Sequence, residues 1–153
     1  MLELEKQNLH RNRLKGQTGT QVTLDDDFIV PDTMSDVGEI ILDCGSLQLE
    51  PVKVQRERVT VRGKLEFHVL YRKEEGGLQT LGGMIPFEET INVPELEEKD
   101  YVSVSPHLDD LNTEMIHSRK LGIKAIVTLE VKAESLYDTE VAVGIKDTDP
   151  DEG

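Results

Sequence analysis

The stretch VTVRGKLEFHVLY, residues 59–71, places Val59, Val61, Gly63, Leu65, Phe67, Val69 and Tyr71 on one parity. Thr60, Arg62, Lys64, Glu66 and His68 hold the other, with Leu70 the single intruder. Successive side chains of a strand point to opposite faces, so this is a long strand with one dry and one wet face. The pattern returns in LGIKAIVTLEVKA, residues 121–133, where Leu121, Ile123, Ala125, Val127, Leu129, Val131 and Ala133 alternate against Lys124, Thr128, Glu130 and Lys132. Two such ribbons predict an antiparallel β architecture whose outer faces meet water. They specify no chemistry.

At 153 residues the chain reads as one domain plus tails. That length buries ~70% of the unfolded surface without a disulfide or metal staple. Cys44 is the only cysteine, so an intramolecular disulfide is impossible and nothing points to an oxidising compartment. No apolar run approaches the ~18 residues of a membrane span, and residues 1–15 lack the apolar centre of a signal peptide. The expectation is a soluble, intracellular protein. With 17 basic and 31 acidic residues the net charge is −14. Residues 1–15 hold four bases and two acids, net +2, which leaves −16 on the remainder. Affinity for phosphate comes mostly from Lys and Arg, so nucleic acid is an ill-matched partner.

Residues 1–15 read as a charged N-terminal arm, 16–134 as a β domain, and 135–153 as an acidic linker or the start of a further module. Gly16 to Thr20 reads as a turn and Gln21 to Val30 as a strand, with Asp25-Asp26-Asp27 a bulge or edge feature and Pro31-Asp32 its stop. Asp36 with Glu39 three residues on has the form of a capping box. Val37, Ile40 and Ile41 follow at i, i+3, i+4 spacing, and Gly45 supplies a left-handed stop. These predict one short helix, Asp36 to Cys44. Leu47 and Leu49, then Val52 and Val54, read as a strand kinked at Pro51. The polar run Lys73-Glu74-Glu75-Gly76-Gly77 closes a hairpin. Leu78 to Leu81 is extended, Gly82-Gly83 marks a bulge or bend, and Ile85, Phe87, Ile91 and Val93 alternate, with Glu89 marking an edge. Tyr101 to Val104 and Leu108 to Ile116 are one strand, or two split at Pro106, and His117 to Lys120 turns the chain into the second ribbon. The sum is an all-β antiparallel sandwich or barrel of roughly seven strands with that one helix.

Candidate chemistry is sparse. Asp147-Thr148-Asp149-Pro150-Asp151 has the alternating acids of a calcium loop, but Glu152 stands where the sharp turn needs glycine, so an EF-hand is excluded and a solvated acidic linker remains. His107, Asp109 and Asp110 lie close in sequence. On a regular strand Asp109 shares the face of His107 while Asp110 points away, leaving two ligands where zinc wants three or four. Cys44 would end a helix rather than start one, so no helix dipole activates it, and a buried or half-buried inert thiol is expected. Ser46 follows Gly45 without a nucleophile elbow, and neither Gly76-Gly77 nor Gly82-Gly83 leads into the Lys-Ser/Thr of a phosphate loop. Three Phe, three Tyr and no Trp give few aromatic platforms. Phe67 and Tyr71 fall on the dry face, which weakens lectin-like and single-strand nucleic-acid readings. The expectation is a chain that is not an enzyme, with no catalytic residues, no cofactor and no metal.

One ordered set of residues remains. It comprises Gly16 and Thr20-Gln21-Val22, then Ile29-Val30-Pro31-Asp32, and Asp36-Val37 with Ile40-Ile41. Val59-Thr60-Val61-Arg62-Gly63 running into Val69-Leu70-Tyr71, Pro86-Phe87, and Arg119-Lys120 leading to Lys124-Ala125 and Val127 complete it. This set resembles the SPOCS (sporulation and cell-surface) domain family found in clostridial spore-coat morphogenetic proteins, over Leu9 to Glu134. The resemblance implies an all-β module of a coat-assembly protein, with no catalytic residues to carry over, in the mother-cell cytoplasm at the forespore surface. Such proteins commonly bear a second SPOCS copy and a carboxyl-terminal LysM module associated with docking onto the coat's basal-layer ATPase. On that resemblance this chain holds the first module, residues 135–153 lead toward the next, and the ATPase is a partner of the LysM region rather than of this piece.

The functional expectation is a non-enzymatic assembly module that mediates protein–protein interaction or self-association in endospore coat formation, through sheet edges and ribbon faces. Arg62, Lys64, Glu66 and His68, on the wet face of the first ribbon, are the candidate partner-facing residues. The alternative is a glycan- or peptidoglycan-binding sandwich of a spore or cell-surface protein, a reading by fold analogy. A hydrolase with an unrecognised site is the remote third.

Overall fold

The structure, a computed structural model, describes the backbone of residues 6–142 and the side chains of residues 14–135. Seven strands form its regular structure: β1 (Lys6–Ile29), β2 (Val37–Leu49), β3 (Lys53–Gln55), β4 (Arg58–Lys73), β5 (Leu78–Asn92), β6 (Tyr101–His117) and β7 (Lys120–Ala142). They make two antiparallel sheets. In one, β4 is central, paired with β2 and then β3 along one edge and with β5 along the other. In the second, β7 lies between β1 and β6. The two alternating ribbons are therefore the middle strands of the two sheets.

Their dry parities face each other. Val59, Val61, Leu65, Phe67, Val69 and Tyr71 of β4 and Leu121, Ile123, Ala125, Val127, Leu129, Val131 and Ala133 of β7 are buried in a single core. Phe28 of β1 meets Phe67 of β4 edge to face, with centroids 5.3 Å apart, which ties one sheet to the other. At the two seams of the sandwich β2 runs along β6 and β1 approaches β5.

No helix occurs among the described residues, and the one expected at Asp36 to Cys44 is instead the opening of β2. Its pairing with β4 shifts register between Val37 and Glu39 and again between Ile40 and Leu42. Each bulge inserts one residue, so the core-facing Val37 and Ile40 fall three apart instead of two. That spacing imitates a helical turn. The capping-box acids are engaged elsewhere, Asp36 with Arg119 and Glu39 with Arg72. Gly45 is no helix stop but a strand residue opposite Phe67, where a Cβ would come within 3.0 Å of Leu65 Cδ1 and 3.3 Å of Leu108 Cδ2.

Other segments differ from expectation through the same kind of local detail. Gly16 to Thr20 is not a turn but strand, paired with Leu129 to Ala133. Residues 6–15, expected as an arm, and 135–142, expected as linker, prolong the β1–β7 pairing. The bulge of β1 falls at Lys15, while Asp25, Asp26 and Asp27 stay in regular register on an edge strand opposite Lys124, Ile123 and Gly122. β5 passes Gly82-Gly83 without any register shift. These glycines answer close approach: a Cβ would lie 3.0 Å from the His68 ring at Gly82, and 2.6 Å from Phe67 Cζ and 2.7 Å from Phe28 Cε1 at Gly83. β6 is one strand, tolerating Pro106 at the sheet edge. Pro51 does separate β2 from β3, and Gly76 and Gly77 take φ of 105° and 89° in the β4–β5 hairpin. The run Asp147 to Glu152 lies outside the described residues.

Candidate interaction face

The wet parity of β4 projects Arg62, Lys64, Glu66 and His68 from the outer face of its sheet. Because β4 is central, each stands in a row with one neighbour from β2 or the chain beside it and one from β5. Directly opposed side chains on one face lie ~5 Å apart and interact. Arg62 faces Glu88, its Nε 3.0 Å from Glu88 Oε1. Lys64 stands between Gln48 and Pro86, Glu66 between Ser46 and Met84, and His68 between Cys44 and Gly82. Glu66 accepts a 2.9 Å hydrogen bond from Gln48 Nε2 and lies 3.6 Å from His68 Nε2. Leu70, the intruder of the sequence pattern, meets Leu42 on one side and Thr80 on the other. Arg72 closes the face, paired with Glu39 and opposite Leu78.

Arg62 and Arg72 are answered by Glu88 and Glu39, whereas Lys64 stands between the uncharged Gln48 and Pro86. Exposed ion pairs add little to stability, and paired in this way they aim no concentrated field at a small ligand. They leave a surface of nearly balanced charge. Cys44, expected to be buried or half-buried, is exposed in the middle of it, because the second bulge of β2 sets its parity outward opposite His68.

Two tertiary clamps fix the loops around the sandwich, and sequence reading found neither. Arg119 Nη1 donates to Met34 O at 2.7 Å and Asp36 Oδ1 at 2.9 Å, while Nη2 donates to Pro31 O at 2.8 Å and Val30 O at 3.0 Å. One guanidinium thus fastens the β1–β2 connection to the β6–β7 turn. Beside it the Tyr71 hydroxyl lies 2.9 Å from Gln79 Oε1 and 3.0 Å from Ser35 O. Burial pushes that hydroxyl above its ordinary range, against the opposing charge of Arg119. At the far end Lys15 Nζ donates to Asp100 Oδ2 at 2.8 Å and to Glu95 O at 3.0 Å, and Asp100 Oδ2 also accepts from Glu97 N at 2.8 Å. The hydrogen bond to Asp100 holds Lys15 above the usual lysine range, in spite of desolvation. Burial opposes the charge on Asp100, but the bonds from Lys15 and the Glu97 amide outweigh it and hold the carboxyl below its usual range. Lys15 and Asp100 are 85 residues apart, so no local spacing could announce the pair.

The candidate metal group also changes. A bulge between Leu108 and Asp110 returns Asp110 to the face of His107, contrary to the regular-strand expectation. Asp109 accepts from Thr128 Oγ1, and His107 lies 3.9 Å from Glu130. Among the described residues no three His, Cys, Asp or Glu side chains gather as metal ligands. No helix among them is long and apolar enough to cross a membrane.

Residues 36–116, a little over half of the chain, match the family model described as "SipL, SPOCS domain". The matched segment takes in β2, β3, β4 and β5 complete and β6 to its penultimate residue. No curated protein and no solved structure matches the chain. On the family match the chain belongs to the SipL SPOCS domain family.

Proposed function

We propose that the chain is a non-enzymatic assembly module of a spore-coat morphogenetic protein, acting by protein–protein contact in the mother-cell cytoplasm at the forespore surface. One observation carries the reading: the family match contains the whole β2–β3–β4–β5 sheet, whose outer face bears Arg62, Lys64, Glu66 and His68. The charge pairing on that face suits a broad surface contact better than a small substrate. The partners are other coat morphogenetic proteins, with the basal-layer ATPase engaged through a LysM module rather than through this domain.

Affinity capture tests this. The immobilised chain is exposed to extracts of sporulating and of vegetative cells, and bound proteins are identified by mass spectrometry. Coat proteins enriched only from the sporulating extract are expected, together with a ring of fluorescence around the forespore from a tagged chain. Empty captures with diffuse mother-cell fluorescence would sink the reading. Muropeptide binding in a calorimetric titration, with no coat protein captured, would put the glycan-binding alternative in its place.

A further inference from the structure

The outer face of the β2–β4–β5 sheet carries more apolar surface than a solvated face needs. Leu42, Leu78 and Met84 are 55%, 60% and 54% exposed, and Leu70 lies half-buried between Leu42 and Thr80. Leu42 and Leu70 are directly opposed, and Leu78 stands two residues along β5 from Thr80, so the three leucines form one patch. Beyond it the Cys44–His68–Gly82 row separates the leucines from Met84 and Pro86. Such a patch, ringed by polar groups, marks an interaction surface.

We propose that this face is a homodimer interface, in which the Leu42–Leu70–Leu78 patch of one copy packs on the same face of a second. The inference rests on the assembly reading above and names the partner and the surface. Charge selects the partner. The whole chain carries −14, yet from the Glu39–Arg72 row to the Arg62–Glu88 row this face sets Glu39, Glu50, Glu66 and Glu88 against Arg62, Lys64 and Arg72. Its formal charge is −1, and a second copy presents the same nearly balanced set. Elsewhere two copies carry a larger like charge: on the outer face of the β1–β7–β6 sheet Asp25, Asp27, Asp110, Glu114, Glu130 and Glu134 outnumber Lys120, Lys124 and Lys132, and the Glu95–Asp100 loop is acidic as well. A basic partner would be steered to those more acidic regions rather than to this nearly balanced face.

Size agrees. Three strands ~4.8 Å apart, over the ~35 Å between Arg62 and Arg72, offer roughly 500 Å² in flat projection and more in accessible area. A standard interface takes about 800 Å² from each partner, or ~10% of a small protein's surface. This is the scale of a reversible dimer.

Sedimentation velocity over a concentration series from about 5 to 500 μM is the test, with the micromolar midpoint expected of an interface of this size. Leu42→Lys and Leu78→Lys, both at exposed positions, are each expected to shift the midpoint at least tenfold toward higher concentration while leaving the melting temperature unchanged. Thr23→Lys, on the outer face of the other sheet, is expected to leave dimerisation as it was. Cys44, the only cysteine, provides a second readout: a short bismaleimide should trap a covalent dimer of the native chain and far less of Leu42→Lys. A native chain that is monomeric throughout overturns the proposal, as does a dimer indifferent to both leucine substitutions or lost equally in Thr23→Lys. The affinity capture described above separates the two claims. A monomer that still captures coat proteins removes the dimer and spares the assembly reading, whereas a dimer that captures none does the reverse.

Discussion

Lys15 sits at the bulge of β1, which turns its side chain out of the regular alternation and onto the loop between β5 and β6. There it neutralises Asp100, which is only 7% exposed and would otherwise be a costly buried charge. The linkage has two limbs. Asp100 is held below its usual range, so its contribution is present above the unfolded carboxylate pKa of about 3.9 and is lost as pH falls through the lower folded value. Lys15 is held above its usual range, so its contribution is present below about 10.4 and is lost as pH rises through the higher folded value. Asp100→Asn should therefore melt at a lower temperature than the native chain at pH 7, and the gap should close as pH falls below about 4. Thermal melts by circular dichroism across that range check it; a gap that stays constant would show that the ion pair is not its source. The sequence displays Lys15 and the acidic loop separately, but a contact spanning 85 residues has no local signature.

Glycine pairs illustrate what strand pattern can and cannot convey. Gly82-Gly83 looks like a break, yet β5 runs through it because rings from neighbouring strands occupy the space of the missing side chains. The two sites should respond differently to alanine. At Gly83 the added carbon meets Phe67 and Phe28, both packed between the sheets, and the cost should be about 1–3 kcal/mol. At Gly82 it meets the exposed His68 ring, which can swing aside, and the change should stay within about 0.5 kcal/mol. Urea denaturation of both variants measures the contrast, and equal losses would contradict the packing account. β2 shows the complementary failure. Its alternation is interrupted by two bulges, so a half-buried strand took on the spacing of a helix. Bulges depend on the partner strand, and the partner lies outside any local window. Cys44 faces outward for the same reason, at the centre of the outer face.

Burial of both ribbons in one core makes the two sheets a single cooperative unit. Leu65 of β4 and Leu129 of β7 are each fully buried on opposite sheets. Leu65→Ala and Leu129→Ala should each cost about 2–5 kcal/mol, and each should shift one common transition rather than melt its own sheet first. Calorimetry tests this through agreement of calorimetric and van't Hoff enthalpies, and a separate low-temperature transition in either variant would refute it. The residues alone settled the antiparallel all-β class, the dry and wet faces of β4 and β7 and the outward position of Arg62, Lys64, Glu66 and His68, because period-two alternation is a local consequence of strand geometry. They also showed Leu70 on the wrong parity without supplying its neighbour. Only the tertiary structure decided that both ribbons are central strands, that residues 36–44 are bulged strand, that Arg119 and Lys15 are clamps, and that Leu42 and Leu78 gather around Leu70. Each of these depends on which distant segment pairs or packs alongside, and that is fixed by the collapse of two sheets onto a shared core rather than by any spacing along the chain.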